Sequence, residues 1–321
     1  MKVVYWARMK LAKPQVIATL EAVQGSHLTV VESLHDLLAA LPGAEALVLA
    51  DAPPDDARKV VEAVSSPDAT VRWMHFLTAG REGFEIAGLP THIPVSYPAG
   101  AVSPTVAEHA MALLLAMVRC LPVAIERQTA REWSREKVSG GATTLEGKRL
   151  AIVGYGQIGR EIAKRARAFG MTIIGVSRRA PQDELLDEGR TLADLHAVLG
   201  EADAIAVAIA QTPETHHLFD DAAFAACRKG AYLVNIARGG LIDQAALARA
   251  LASGQLAGAG LDVTDPEPLP SDDPLWEAPN LIISPHYAGG GSAASLARLA
   301  DGAAANLRRL MAGKQLEHLV T

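Results

Sequence analysis

RLAIVGYGQIGREIAKRARAFGMTIIGVSRRA, residues 149–180, is the stretch from which the rest of the chain can be read. It begins with RLAIV, a short apolar run of the kind buried on both faces of a parallel sheet. GYGQIG follows and sets Gly154, Gly156 and Gly159 in the spacing GxGxxG. Beyond it Ile158, Ile162, Ala166 and Phe169 recur at helical spacing on one face, and Gly170 stands where such a helix would stop. MTIIGV, residues 171–176, is a second apolar strand. Strand, glycine loop, helix and strand in this order predict a βαβ unit that binds a dinucleotide. The first glycine permits the tight turn, the second lets a pyrophosphate approach the backbone, and the third lets helix and strand pack closely. Free N–H groups at the helix start, those of Gln157 and Ile158 among them, would face the phosphates. A lone GxGxxG is weak evidence; the flanking strand and helix make it specific.

GVSRRA, residues 175–180, discriminates between dinucleotides. An acidic residue at the end of the second strand would accept hydrogen bonds from a ribose 2′-hydroxyl and repel a 2′-phosphate. Ser177 stands there instead, followed by Arg178 and Arg179. Serine removes the repulsion and the arginines supply phosphate donors, which favours NADP(H), with NAD(H) as the alternative. The other reading of the two arginines is a pair of solvated loop charges.

Outward from this unit the apolar runs continue with AIAVAI (204–209), AYLVNI (231–236) and LIIS (281–284), which extends the doubly wound sheet. Upstream, VVYW (3–6), ALVLA (46–50), VRWMHFL (71–77) and IPVSY (93–97) are strand candidates. PQVIATLEAV (14–23) and PDDARKVVEAV (54–64) have helical spacing between them, so this half is also a βα alternation. SPTVAEHAMALLLAMVR (103–119) reads as one long, largely buried helix with Ser103 as N-cap and Pro104 in the first helical position. A polar stretch, residues 131–144, separates it from the glycine loop, and residues 292–313 form an amphipathic helix.

Composition narrows the function. The chain has 321 residues, enough for two domains, and a net charge of −6 from 30 basic and 36 acidic side chains. No basic excess or stripe suggests nucleic acid as a partner. No apolar run approaches the ~20 residues that span a bilayer, so no membrane partner is expected. The N-terminal MKVVYWARMK is too short in apolar length for a signal peptide and reads as a buried strand. Cys120 and Cys227 are far apart without ligand-like spacing, as expected of reduced thiols in a cytoplasmic protein. The ten histidines show no metal-ligand spacing, so no metal is expected. Adjacent His216 and His217 suit a surface turn, and His109, with Glu108, suits packing on the buried helix better than ligation.

Three segments beyond the loop carry polar residues just after an apolar strand or within a turn: VNIARGGLIDQAAL (234–247), GLDVTDPEPLP (260–270) and ISPHYAGG (283–290). Strand C-terminal ends are where an open α/β sheet binds ligands, so Arg238, Glu267 and His286 are candidates for one crevice. A structural Arg238–Glu267 pair and a satisfied loop histidine are the alternative.

With VAEHAMALLLA (106–116), GYGQIG, TPET (212–215), NIARGGLID, GLDV, the Glu of DPEPLP and SPHYAGG in this order, the chain resembles the D-isomer-specific 2-hydroxyacid dehydrogenases over nearly its whole length. The resemblance implies a Rossmann-type doubly wound parallel-sheet domain, residues 101–287, inserted into a flavodoxin-like α/β substrate domain formed by 1–100 and 288–321. It gives Arg238 the substrate carboxylate, His286 the acid/base step, Glu267 the orientation of the imidazole, and Asp262 the carboxamide of the nicotinamide. Around the cofactor it adds Thr105, Ile209, Pro213, Ile236, Ala237, Ala288 and Gly289. LTAGREGFE (77–85) aligns with the loop whose backbone grips the carboxylate, through Ala79, Gly80 and Arg81. Arg81 departs from the family, where an uncharged residue is usual; it either meets a second acidic group on the substrate or points into water. The implied activity is NADPH-dependent reduction of a small 2-keto acid of the glyoxylate or hydroxypyruvate type, in a homodimer. The alternatives are an NAD-dependent phosphoglycerate-type or other specialised dehydrogenase, and a dinucleotide-sensing interaction protein of the same fold.

Overall fold

β1 (Lys2–Trp6) turns alternate side chains into two different cores, as the two-residue period of a strand requires. Val3 and Tyr5 face one, Val4 and Trp6 the other. The computed structural model describes residues 1–10, 12–78, 80–290 and 292–320. The chain forms two units: Met1–Val102 with Gly290–Thr321, and Ser103–Gly289.

In the first unit β1 is joined by β2 (His27–Val31), β3 (Ala46–Leu49), β4 (Trp73–Phe76) and β5 (Val95–Ser96). All pair in parallel, in the order β2-β1-β3-β4-β5, a flavodoxin-like arrangement. α1 (Lys13–Glu21) and the long C-terminal helix, residues 293–311, cover one face; Val16 and Leu20 meet Leu299, Ala303 and Leu307 there. α2 (Leu34–Ala40), α3 (Pro54–Val64) and α4 (Glu82–Ala87) cover the other, with Leu37, Val60, Val64 and Phe84 buried. α3 starts with Pro54, Asp55 and Asp56, a proline and two carboxylates suited to the positive end of a helix. The last residues return to the sheet edge, where Tyr97 N–H donates to the His318 carbonyl (3.1 Å) and Val320 N–H to that of Val95 (2.8 Å). Arg298 Nε donates to the Ala101 carbonyl at 2.8 Å, tying the last helix to the residues just before the second unit.

Inside this unit Ser96 Oγ accepts from Trp73 Nε1 (2.8 Å) and Asn306 Nδ2 (3.2 Å). Its single hydrogen then goes to His75 Nδ1, 2.8 Å away, so His75 carries its proton on Nε2. Burial pushes the His75 imidazole down to about 3, with His318 adding to the shift.

In the second unit come α5 (Ser103–Val118), α6 (Leu121–Thr129), α7 (Arg135–Ser139), β6 (Arg149–Val153), α8 (Gln157–Ala168), β7 (Thr172–Ser177) and β8 (Glu188–Thr191). They are followed by α9 (Leu195–Glu201), β9 (Ala204–Val207), α10 (Asp221–Ala226), β10 (Ala231–Asn235), α11 (Gln244–Ala252), β11 (Leu256–Leu261) and β12 (Leu281–Ile283). The C-terminal helix of the first unit is α12 (Ala293–Met311). Seven parallel strands run β12-β11-β10-β9-β6-β7-β8, a doubly wound sheet whose direction of winding reverses between β6 and β9. α9, α10 and α11 cover one face, where Val198, Phe224 and Leu247 meet Val153, Ile205 and Leu233. Ile162, Ala163 and Ala166 of α8 are buried.

Two local expectations are corrected. Ser103 is the first residue of α5, not its cap, and its side chain is buried. Phe169 caps the C-terminal end of α8 and is 41 % exposed, so the buried face of that helix ends at Ala166. The polar stretch 131–144 contains the short helix α7. Cys120 is half-buried; Cys227 is buried, which pushes its thiol up to about 12.

Candidate dinucleotide site and catalytic cluster

The glycine loop joins β6 to α8, and each glycine has a different reason to be there. Gly154 has φ +100°, and a β-carbon on it would lie 2.3 Å from Ile209 N. On Gly159 a β-carbon would lie 2.5 Å from the Gly154 carbonyl oxygen, so the helix could not pack against the loop. Gly156 is different: a β-carbon there meets nothing within 4 Å, so its backbone is open for a phosphate to approach. α8 begins at Gln157 without a side-chain cap, so the first-turn N–H groups of Gln157, Ile158 and Gly159 have no acceptor within the helix. These features fit a pyrophosphate.

Next to the loop lies a groove of about 1220 Å³, lined among others by Gly154, Tyr155, Gly156, Ser177, Arg178, Arg179 and Ile209. Ser177 Oγ accepts from Tyr155 N–H at 3.0 Å, which fixes the loop against the end of β7. Arg178 and Arg179 are exposed on the groove's lip. Thr212, Glu214 and Thr215 line it on another side. Pro213 is an exposed turn residue beside them; Thr105 lies in the first turn of α5, half-buried.

The other candidates stand at the C-terminal ends of β10, β11 and β12. Asn235, fully buried at the end of β10, accepts from Ala237 N–H (3.1 Å) and donates to the Arg238 carbonyl (2.8 Å). This clamp shapes the turn Ile236–Arg238; Ile236 is buried, and Arg238 Nη1 donates to the Ala237 carbonyl at 2.6 Å. Gly239 lies against the backbone of Thr264 and Asp265, where a β-carbon would come within 2.1 Å of the Thr264 carbonyl. The turn bearing Arg238 therefore abuts the one bearing Glu267. Thr264 N–H donates to Glu267 Oε1 (3.1 Å), and Glu267 Oε2 lies 2.7 Å from His286 Nδ1. A carboxylate only accepts, so Nδ1 carries the proton and His286 Nε2 is left for proton exchange. His286 sits in the left-handed region (φ +49°), held by its own N–H to the Asp262 carbonyl at 2.7 Å.

Asp262 is 1 % exposed and organises this end of the site. Its Oδ1 accepts from Ser284 Oγ (2.7 Å) and Tyr287 N–H (3.2 Å), and Oδ2 from Ala288 N–H (3.0 Å). His109 Nε2 lies 3.3 Å from Oδ1 and 2.8 Å from Ser284 Oγ. The resemblance gives Asp262 a carboxamide to hold; the chain's own donors leave it about one acceptor position of four, on Oδ2. Gly289, the last residue of this unit, follows Ala288 directly. The sequence gives Asn235 and Ser284 no role and assigns His109 to packing, although each lies within a quoted motif, because the hydrogen bonds that define them are set only in the folded chain.

Of the loop expected to grip a carboxylate, Ala79 lies outside the described residues. The Gly80 carbonyl accepts from Thr78 Oγ1 at 2.7 Å. Arg81 does not reach into water: its side chain is 20 % exposed, pairs with Glu85 at 3.0 Å and lies over the Tyr97 ring, 5.4 Å from its centre. Glu108 pairs with Arg165 of α8 (3.0 Å), and His216 and His217 stack on an exposed turn, 3.9 Å between ring centres. Among the described residues no group of three or more His, Cys, Asp or Glu is placed to hold a metal ion.

The NAD-binding-domain model of the D-isomer-specific 2-hydroxyacid dehydrogenases matches residues 111–288. The chain belongs to that family. As a D-isomer-specific 2-hydroxyacid dehydrogenase family member it is 35 % identical over 280 residues to D-3-phosphoglycerate dehydrogenase of Mycobacterium bovis, covering 87 % of this chain and 51 % of that protein. The chain thus spans about half the length of that curated relative. A D-isomer-specific 2-hydroxyacid dehydrogenase family protein of Aeromonas salmonicida superposes with a TM-score of 0.85 at 28 % identity, over 100 % of this chain and 98 % of the other. A Thermus thermophilus protein superposes with a TM-score of 0.81 at 31 % identity, over 100 % of both chains.

Proposed function

We propose that this chain is an NAD(P)-dependent D-2-hydroxyacid dehydrogenase that interconverts a 2-keto acid and the D-2-hydroxy acid. The observation that carries the reading is the Glu267–His286 pair at 2.7 Å, in the same unit as the glycine loop. During reduction His286 Nε2 gives a proton to the ketone oxygen, and during oxidation it takes the proton back. Glu267 keeps the imidazole turned so that Nε2, not Nδ1, meets the substrate. The planar guanidinium of Arg238 holds the substrate carboxylate with paired donors. Gly154, Gly156, Gly159 and the start of α8 hold the dinucleotide's pyrophosphate; Ser177, Arg178 and Arg179 meet its adenosine ribose. The dinucleotide, when bound, supplies or accepts the hydride.

NADP(H) is the proposed cofactor, because Ser177 brings no charge against a 2′-phosphate and two arginines stand beside it. NAD(H) is the second reading, supported by the likeness to D-3-phosphoglycerate dehydrogenase. That likeness also favours a phosphoglycerate-type substrate over glyoxylate or hydroxypyruvate. The first unit is the proposed substrate domain, and the active form a cytoplasmic homodimer. A spectrophotometric panel of glyoxylate, hydroxypyruvate and 3-phosphohydroxypyruvate, each with NADPH and NADH, tests substrate and cofactor together. Turnover with any of them is expected. Dinucleotide binding without turnover on any 2-keto acid would instead point to a sensing role.

A further inference from the structure

His109 and Ser284 are 175 positions apart in sequence and 2.8 Å apart in the fold. The proton count around Ser284 decides what passes between them. Ser284 has one hydroxyl hydrogen, and its shortest acceptor is Asp262 Oδ1 at 2.7 Å. A carboxylate has no proton to give back, so Ser284 Oγ accepts from His109. Nε2 of His109 must therefore carry a hydrogen, which also lies within reach of Asp262 Oδ1, at 3.3 Å. The His109 ring stands edge-on to Tyr287, 4.7 Å between centres. One imidazole thus touches residues on both sides of His286 in sequence, Ser284 and Tyr287, together with the carboxylate of Asp262, whose backbone carbonyl holds the His286 N–H.

We propose that His109 is a positioning residue for His286, acting through Ser284, Asp262 and Tyr287. The inference rests on the reading of His286 as the acid/base. His286 occupies a left-handed backbone conformation in a short turn whose N–H groups converge on Asp262. The Nε2–H of His109 is a side-chain donor to that assembly from outside the turn. Without it, one donor to the Ser284–Asp262 pair is gone, and the turn is free to shift relative to Glu267. A displaced acid/base costs turnover more than it costs binding of the dinucleotide at the glycine loop.

Two substitutions separate positioning from packing. His109→Phe keeps a ring against Tyr287 and removes the donor; His109→Gln keeps an amide donor near the place of Nε2. Expected for His109→Phe is a kcat lowered roughly tenfold to hundredfold, with the dissociation constant for the dinucleotide little changed. His109→Gln recovers most of the loss. In imidazole ¹⁵N spectra of the free protein, the His286 signals, identified by their absence in His286→Gln, should move in His109→Phe and return in His109→Gln. If His109→Phe lowers Tm while kcat and the His286 signals stay as in the wild type, His109 is a packing residue and the proposal is overturned. Equal losses in the Phe and Gln variants overturn it as well. Should His109→Phe not fold, Ser284→Ala removes the bridging oxygen and is expected to give the same loss and the same spectral shift. If the wild type turns over no 2-keto acid, the dehydrogenase reading fails, and the spectra still decide whether His109 positions His286.

Discussion

Glu267 Oε2 lies 2.7 Å from His286 Nδ1, and the other oxygen of the same carboxylate is held by the backbone N–H of Thr264. The carboxylate is therefore fixed before it fixes the imidazole. His286→Gln should lower kcat by about 10²–10⁴-fold, the usual contribution of a positioned acid/base. Glu267→Gln keeps an oxygen toward Thr264 but loses the charge, and is expected to fall short of the histidine variant's loss. Dinucleotide titration by fluorescence, unchanged in both variants, checks that the loss lies in turnover.

At the end of β7 the choice of dinucleotide should turn on a single side chain. Ser177→Asp retains an acceptor for Tyr155 N–H and adds a charge facing the ribose. The ratio of kcat/KM for NADPH to that for NADH is expected to drop steeply. Arg178→Ala should weaken NADPH alone, by roughly tenfold to hundredfold if it donates to the phosphate. No change with either cofactor would leave Arg178 in solvent, and an equal loss with both would put its contact on a part of the dinucleotide other than the 2′-phosphate.

Two glycines of one loop should respond differently to the same methyl group. Gly154→Ala forces a β-carbon to within 2.3 Å of Ile209 N at a positive φ, at a cost of about 1–3 kcal/mol or more, and Tm falls by several degrees. Gly156→Ala meets nothing within 4 Å and should melt near the wild type, yet bind dinucleotide more weakly. Calorimetry with and without the cofactor reads both effects.

His75 makes the first unit sensitive to acid. Its folded pKa, about 3, lies below the ordinary 6.5, so in between the unfolded chain binds a proton that the folded one refuses. Stability attributable to His75 is complete above pH ~6.5 and falls by about 1.4 kcal/mol per pH unit as pH drops toward 3. A protonated ring would also set a second hydrogen against the Ser96 hydroxyl. Urea denaturation between pH 7 and 5 should show a shallower acid loss in His75→Gln than in the wild type. Parallel curves would contradict the assignment.

The glycine loop, the long helix and the central strands were legible because each combines a long apolar run with a boundary signal. β2 and β8 were not. They are edge strands, half exposed, and their sequences HLTVV and EGRT lack a buried face. β11 hid behind its glycines: LAGAGL looks like a loop, but a β-carbon on Gly260 would stand 3.0 Å from Leu113 Cβ of α5. Arg238, Glu267 and His286 were found through ordered motifs, whereas Asn235 and His109, though inside the same motifs, take their roles from partners in space. Local pattern records which face of an element is buried; it does not record which distant side chain completes a hydrogen bond.

Each unit closes its own ring. Arg298 clips the stretch that precedes the insertion to the helix that follows it, and His109 clips the insertion's first helix to its last loop. To the first unit, residues 103–289 are thus a very long detour between two points already fastened together. Loop-closure entropy grows only logarithmically with length, so the size of such a detour is almost free. The sheet of the first unit should accordingly survive a transplant: with the detour replaced by a short glycine–serine bridge, it is expected to fold around α12 as a module in its own right.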